Sequence, residues 1–155
     1  MVASCSSRRS LEALTAVGKP STAIARANLG FVLLERERYT EAKRTFIGIL
    51  GEIRRGLSPL LGSHLHIALT ACSAVERDWD AWDRHLRKAT EVIRRTSYVD
   101  IDNARVAELS GDLTLAAGKL DRARRIYGFA QDQYLGLGRI RDAEAVGAVL
   151  DRLPS

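Results

Sequence analysis

A chain of 155 residues has the length of one ordinary domain and can bury a substantial core. Its two cysteines, Cys5 and Cys72, are too few for a disulfide framework, which favours the reducing cytoplasm as its location. The formal net charge is +5, but acidic residues interleave with the basic ones, so the composition argues against a nucleic-acid partner. No apolar run approaches the roughly 20 residues that span a bilayer, and no membrane association is predicted.

The predicted elements, taken in chain order, are all helices. Residues 1–7 (MVASCSS) are predicted to be disordered, and a short helix follows over 8–17, with Leu11, Leu14 and Val17 on one side. Apolar spacing, Pro and Gly signals then predict further helices at 22–37, 40–55, 59–77, 79–96, 102–117, 120–136 and 140–152. No segment alternates apolar and polar residues as a strand does. The sequence therefore predicts an all-α fold, with residues 8–153 forming one domain.

Residues of similar type recur at intervals of about 40 along this helical pattern. The matched positions are Gly30, Thr70 and Gly111 in first helices, Tyr39, Trp79 and Leu120 at the start of second helices, and Ala42, Trp82, Ala123, Phe46, Leu86 and Tyr127 within them. Fixed-period similarity of this length is typical of helical repeat arrays, in which small residues let paired helices approach. It predicts three helix pairs, at about 22–56, 60–97 and 102–137. Thr70 and Trp82 are bulkier than their counterparts, so the middle pair is expected to be splayed or rotated.

The stretch NLGFVLLERERYTEAKRTF, with Leu29-Gly30, Tyr39, Ala42 and Phe46, resembles the tetratricopeptide repeat (TPR) family. The resemblance implies a right-handed superhelix of antiparallel helix pairs, with three TPR-like repeats. Helix 8–17 would be the second helix of a truncated repeat, and 140–152 a terminal capping helix. The period of about 40 exceeds the family's usual length of about 34, which implies longer helices.

The phrases LLERERYTEA, DWDAWDRHLRKA and ARRIYGFAQDQYLGLGR are similar to the C-terminal TPR arrays of bacterial eukaryote-like Ser/Thr protein kinases. The 155 residues contain no Gly-rich phosphate loop, no His-Arg-Asp and no Asp-Phe-Gly motif. The resemblance therefore implies the non-catalytic part of such a signalling protein, and no enzyme activity is expected of this chain.

In the TPR family the first helices line a concave face that binds peptides. The positions that match the family's inward-facing ones are Asn28, Phe31, Glu35, His64, Ile67, Ala71, Arg105, Glu108 and Asp112. For Phe31 and Ile67, ordinary core packing is an equally good interpretation.

Two other sets of residues could carry chemistry. His64 and His66 lie about 200° apart on a helix and His85 lies on another, so no metal site and no cofactor are predicted. The pairs Arg54-Arg55 and Arg94-Arg95 are 40 residues apart and should share an edge. They either complement helix C-termini or form a basic ridge for an acidic partner.

Two functions follow as hypotheses. The first is a scaffold or adaptor module that binds a protein or peptide on its concave face. The second is an effector-sensing regulatory domain that controls a bacterial kinase or transcription regulator. Self-association through an exposed apolar edge of helix 8–17 is compatible with either.

Overall fold

A computed structural model describes residues 21–53 and 58–155, and within these ranges the chain forms seven helices and no strand. The helices are α1 (Ser21–Glu35), α2 (Tyr39–Ile53), α3 (Pro59–Glu76), α4 (Trp79–Thr96), α5 (Ile101–Ala116), α6 (Leu120–Gly136) and α7 (Ile140–Arg152). The predicted all-helical class is confirmed for these residues. The predictions for residues 1–7, helix 8–17, Arg54 and Arg55 lie outside the described residues. None of the described helices combines the length and the apolar character needed to cross a membrane.

Four of the helices begin after the same kind of tight turn. In each turn one residue adopts a left-handed backbone conformation two positions before the next helix: Glu37 (φ 61°), Arg77 (φ 59°), Gly118 (φ 78°) and Gly138 (φ 72°). The next residue donates its N–H to a carbonyl five positions back, as Asp78 does to Ser73 at 3.0 Å and Arg139 to Tyr134 at 2.8 Å. This hydrogen bond is the Schellman closure of a helix. It folds α1 on α2, α3 on α4, α5 on α6 and α6 on α7.

Polar caps mark the start of three helices. The Ser58 hydroxyl accepts from the Leu60 N–H at 3.2 Å and Pro59 follows at the first helical position, so α3 begins as its sequence indicates. Asp78 caps α4 through the Ala81 N–H at 3.1 Å. Asp100 caps α5 through the N–H groups of Asp102 and Asn103.

The first and third helix pairs make the same glycine–aromatic contact. A Cβ added to Gly30 would lie 2.5 Å from Cε1 of Phe46, and one added to Gly111 would lie 2.5 Å from Cε1 of Tyr127. Both aromatic rings are buried. Glycine is therefore needed in α1 and α5, because any side chain there would occupy the space of the ring.

The middle pair packs differently from the outer pairs, but Thr70 and Trp82 do not hold its two helices apart. Helices α3 and α4 are in contact as extensively as α5 and α6. The Trp82 side chain is fully buried and its indole N–H donates to the Thr114 hydroxyl on α5 at 3.1 Å. The Thr70 and Ser110 hydroxyls are 2.7 Å apart. The bulky residues are accommodated because they reach across to the next helix pair.

Helix α3 lies at the centre of the described residues. It packs against α2, α4 and α5, whereas it touches α1 only slightly. Ten consecutive residues from Leu65 to Ala74 include only one that is not buried, His66. A helix enclosed on this many sides must be apolar or small around most of its circumference, which is the composition that α3 has.

Candidate functional site

The predicted binding residues of α1 divide between core and surface. Phe31 is buried, and its ring centroid lies 5.2 Å from that of Phe46. Asn28 is half-buried, and its side-chain oxygen has no hydrogen-bond partner among the described residues. Glu35, at the end of α1, is exposed. Phe31 is therefore a core residue. Asn28 and Glu35 are the two predicted positions of α1 that solvent reaches.

The predicted residues of α3 are all interior. His64, Ile67 and Ala71 are buried, because α2, α4 and α5 surround this helix. Nε2 of His64 lies 3.8 Å from an Asp100 carboxylate oxygen. Burial lowers the pKa of His64, and the opposing attraction of Asp100 only partly compensates. These three side chains belong to the core of the described part of the chain, so they line no open face.

The predicted residues of α5 reach the surface, and two of them are held in place by tyrosines of α6. The hydroxyl of Tyr134 donates to Glu108 at 2.9 Å, and that of Tyr127 donates to Asp112 at 2.5 Å. Glu108 is half-buried, while Asp112 and Arg105 are exposed.

The two tyrosine hydroxyls remain donors at any ordinary pH. Burial raises the pKa of Tyr127 and of Tyr134, and the hydrogen bonds to Asp112 and Glu108 raise both further. Each tyrosine therefore holds one oxygen of its carboxyl partner in position on the surface of α5.

A buried polar network that sequence reasoning missed joins the α4–α5 connection to α6. The Tyr98 hydroxyl donates to Asp100 at 3.1 Å, and the Asp100 N–H donates to the side-chain oxygen of Gln133 at 2.9 Å. The Gln133 amide in turn donates to the Tyr98 carbonyl at 3.2 Å. The network satisfies a non-helical stretch of backbone, which is a structural role. The only sequence signal was a glutamine on the apolar side of α6.

Sequence reasoning also missed a contact between two histidines. Nδ1 of His66 lies 2.9 Å from Nδ1 of His85, and the ring centroids are 5.2 Å apart. His64, by contrast, lies on the opposite side of α3, as its helical position predicts. No group of three or more potential metal ligands exists among the described residues.

The outer face of α4 carries five exposed cations, which we call the α4 basic face. They are Arg84, Arg87, Lys88, Arg94 and Arg95, and none is in an ion pair with another described residue. Arg94 and Arg95 lie in the last turn of α4, where cations complement the helix dipole. Asp83, on the same helix, is neutralised by Arg122 at 2.9 Å and Arg125 at 3.2 Å. Those two guanidinium groups lower the pKa of Asp83.

Comparison of the chain with protein-family models, with curated proteins and with solved structures found no match.

Proposed function

We propose that the chain is a non-catalytic interaction module built from three TPR-like helix pairs in a right-handed superhelix, and that it binds a peptide or protein partner. The repeat architecture is supported by the identical glycine–aromatic contacts of Gly30 with Phe46 and Gly111 with Tyr127. The identical turns before α2, α4 and α6 support it as well. A catalytic role has no support from sequence motifs.

One observation carries the binding proposal: the Glu108 and Asp112 carboxyl groups are solvent-accessible and each is held in position by a tyrosine hydroxyl. A carboxylate held in one position loses less conformational entropy when a partner binds than a freely rotating one. Each keeps acceptor capacity for a charge-assisted hydrogen bond from a Lys or Arg side chain. The partner surface proposed for α5 is therefore basic, with an acidic residue opposite Arg105.

The test is site-specific photo-crosslinking in the cell of origin, with a photoreactive amino acid at Arg105 and, in a parallel sample, at Asp132. Asp132 is exposed on α6 and makes no hydrogen bond or ion pair within the described residues. We expect a discrete crosslinked protein from position 105 and none from position 132.

Charge reversal then tests the identified partner in vitro. Glu108→Lys should weaken its affinity by about tenfold or more, since losing one charge-assisted contact costs roughly 1.5–3 kcal/mol. Asp132→Lys should leave the affinity within a factor of about two, since a distant exposed charge is screened by salt. Circular dichroism of both variants checks that helicity is unchanged. If the Glu108→Lys variant and the parent chain bound the partner with equal affinity, the binding face would not include α5.

A further inference from the structure

The His66–His85 contact brings together two imidazole rings from neighbouring helices, where solvent can reach them. Both side chains are half-buried. At an Nδ1–Nδ1 distance of 2.9 Å one ring donates its proton and the other accepts it. The accepting ring then carries its own proton on Nε2. The pair therefore presents an N–H donor in addition to the hydrogen bond between the rings.

The charged groups around the pair are predominantly basic. Lys88 lies one turn after His85 on α4, Arg84 precedes it, and Lys43 approaches from α2. The nearby carboxylates are both engaged, Glu76 with Lys43 at 2.8 Å and Asp78 with the Ala81 N–H at 3.1 Å. The Cys72 thiol of α3 is neutral, because burial raises its pKa to about 12.

These surroundings keep both histidines uncharged at neutral pH. Burial first, then His85 and Lys88, lower the pKa of His66 to about 4. Burial, Arg84, Lys88 and Lys43 lower the pKa of His85 to about 4, against the weaker influence of Asp78. These basic groups would repel a bound cation, whereas a bound anion would be attracted by them and would reduce the repulsion between them and a protonated imidazole.

We propose that His66, His85 and Lys88, with Arg84 at the margin, form a binding site for a tetrahedral dianion such as phosphate or sulfate. One imidazole N–H and the Lys88 ammonium donate charge-assisted hydrogen bonds to the oxyanion. The bound dianion also favours uptake of one proton from solution onto the remaining bare imidazole nitrogen, which supplies a third donor. The proposal is independent of partner binding on α5.

The experiment is a sulfate titration of the full chain at constant ionic strength, with imidazole resonances followed by NMR. Sulfate is the first probe because its charge stays constant across the pH range used. We expect saturable shifts of the His66 and His85 resonances and none for the interior His64. We also expect tighter binding at pH 6 than at pH 8, since the site takes up a proton.

Two exposed α4 residues provide a matched pair of variants. Lys88→Gln should weaken sulfate binding by about tenfold, the effect of one lost charge-assisted contact, whereas Arg87→Gln should change it by less than about twofold. Arg87 belongs to the same α4 basic face but does not contribute to the pKa shift of either histidine. Both variants are at exposed positions, so folding is preserved. Equal effects of the two variants, or resonance shifts that never saturate, would contradict the proposal. They would mean that sulfate is attracted by the overall positive charge of α4 and is not bound at a defined site.

A second titration identifies the source of the oxyanion. Inorganic phosphate and a short phosphoserine peptide are compared under the same conditions. Tighter binding of the peptide assigns the site to a phosphorylated protein segment, and equal binding assigns it to the free ion. The absence of His66 and His85 shifts with every one of the three probes would overturn the proposal.

Discussion

The outer and middle helix pairs solve the same packing problem in two ways. In α1–α2 and α5–α6 a glycine lets an aromatic ring lie against the backbone of the first helix. In α3–α4 the matching positions are Thr70 and Leu86, and the close approach is replaced by hydroxyl and indole hydrogen bonds to α5. The outer pairs are thus stabilised within themselves, whereas the middle pair is tied to its neighbour. All three histidines of the chain also lie in the middle pair.

The largest test of this comparison removes the aromatic rings of the outer pairs. Phe46→Ala and Tyr127→Ala should each lower the free energy of unfolding by about 3–5 kcal/mol, because a cavity is left beside a glycine backbone. Urea denaturation measures the change. Ile47→Ala is the control, since Ile47 is 48% exposed and next to Phe46 in sequence. If either variant lost less free energy of unfolding than Ile47→Ala, the aromatic rings would not be the main stabilising contacts within their helix pairs.

The next test replaces glycines by alanine, and we expect stability to fall at the two close-contact positions and to rise at two open positions. Gly111→Ala and Gly30→Ala should each cost about 1–3 kcal/mol through overpacking against Tyr127 and Phe46. Gly128→Ala on α6 and Gly51→Ala on α2 should instead stabilise by roughly 0.5–1 kcal/mol, the gain in helix propensity. A Cβ at either of these control positions meets no heavy atom of the described residues within 4 Å. Stabilisation by all four substitutions would contradict the close approach of the outer pairs.

The histidines of the middle pair predict a loss of stability in acid. The pKa values of His66 and His85 are about 4 in the folded chain, below the ordinary value of about 6.5. The unfolded chain therefore takes up protons first, and stability that is present above pH 6.5 is lost as the pH falls towards 4. After discounting for solvent exposure, His66 and His85 should account for about 1–2 kcal/mol of this loss, and the buried His64 adds to it.

Urea midpoints at pH 7.5 and pH 5 measure this loss. The double variant His66→Gln/His85→Gln should have a smaller difference between the two midpoints than the parent chain. Arg87→Gln, an exposed substitution on α4 that leaves both histidines and Lys88 in place, is the control. A parent chain equally stable at both pH values would mean that the two imidazoles are freely solvated.

The smallest effect concerns the tie between the middle and third pairs. A double-mutant cycle with Thr70→Val and Ser110→Ala should give a coupling energy of about 0.5–1.5 kcal/mol, the usual net value of one hydrogen bond. Pairing Thr70→Val with Thr45→Val should give no coupling, because the Thr45 hydroxyl donates within its own helix at Glu41. Zero coupling between Thr70 and Ser110 would contradict the view that the middle pair is held to the third pair by this hydrogen bond.

Much of the secondary structure could be predicted from local signals. Second helices begin at Tyr39, Trp79 and Leu120, where the 40-residue spacing places them. The candidate binding face was predicted less well. Glu35, Arg105 and Asp112 are exposed, but Phe31, His64, Ile67 and Ala71 are interior. Helical spacing places residues on one side of a helix, but it does not say how many neighbours cover that side.

The sequence by itself determined the all-helical class and the approximate helix boundaries of the described residues. These depend on interactions over a few residues or within one hairpin, where the order of the chain fixes which groups meet. Only the tertiary structure decided that α3 is enclosed and that His66 lies against His85. Those outcomes depend on how each helix is rotated about its axis and on which helices pack beside it, and that is set by side-chain packing across the whole described core.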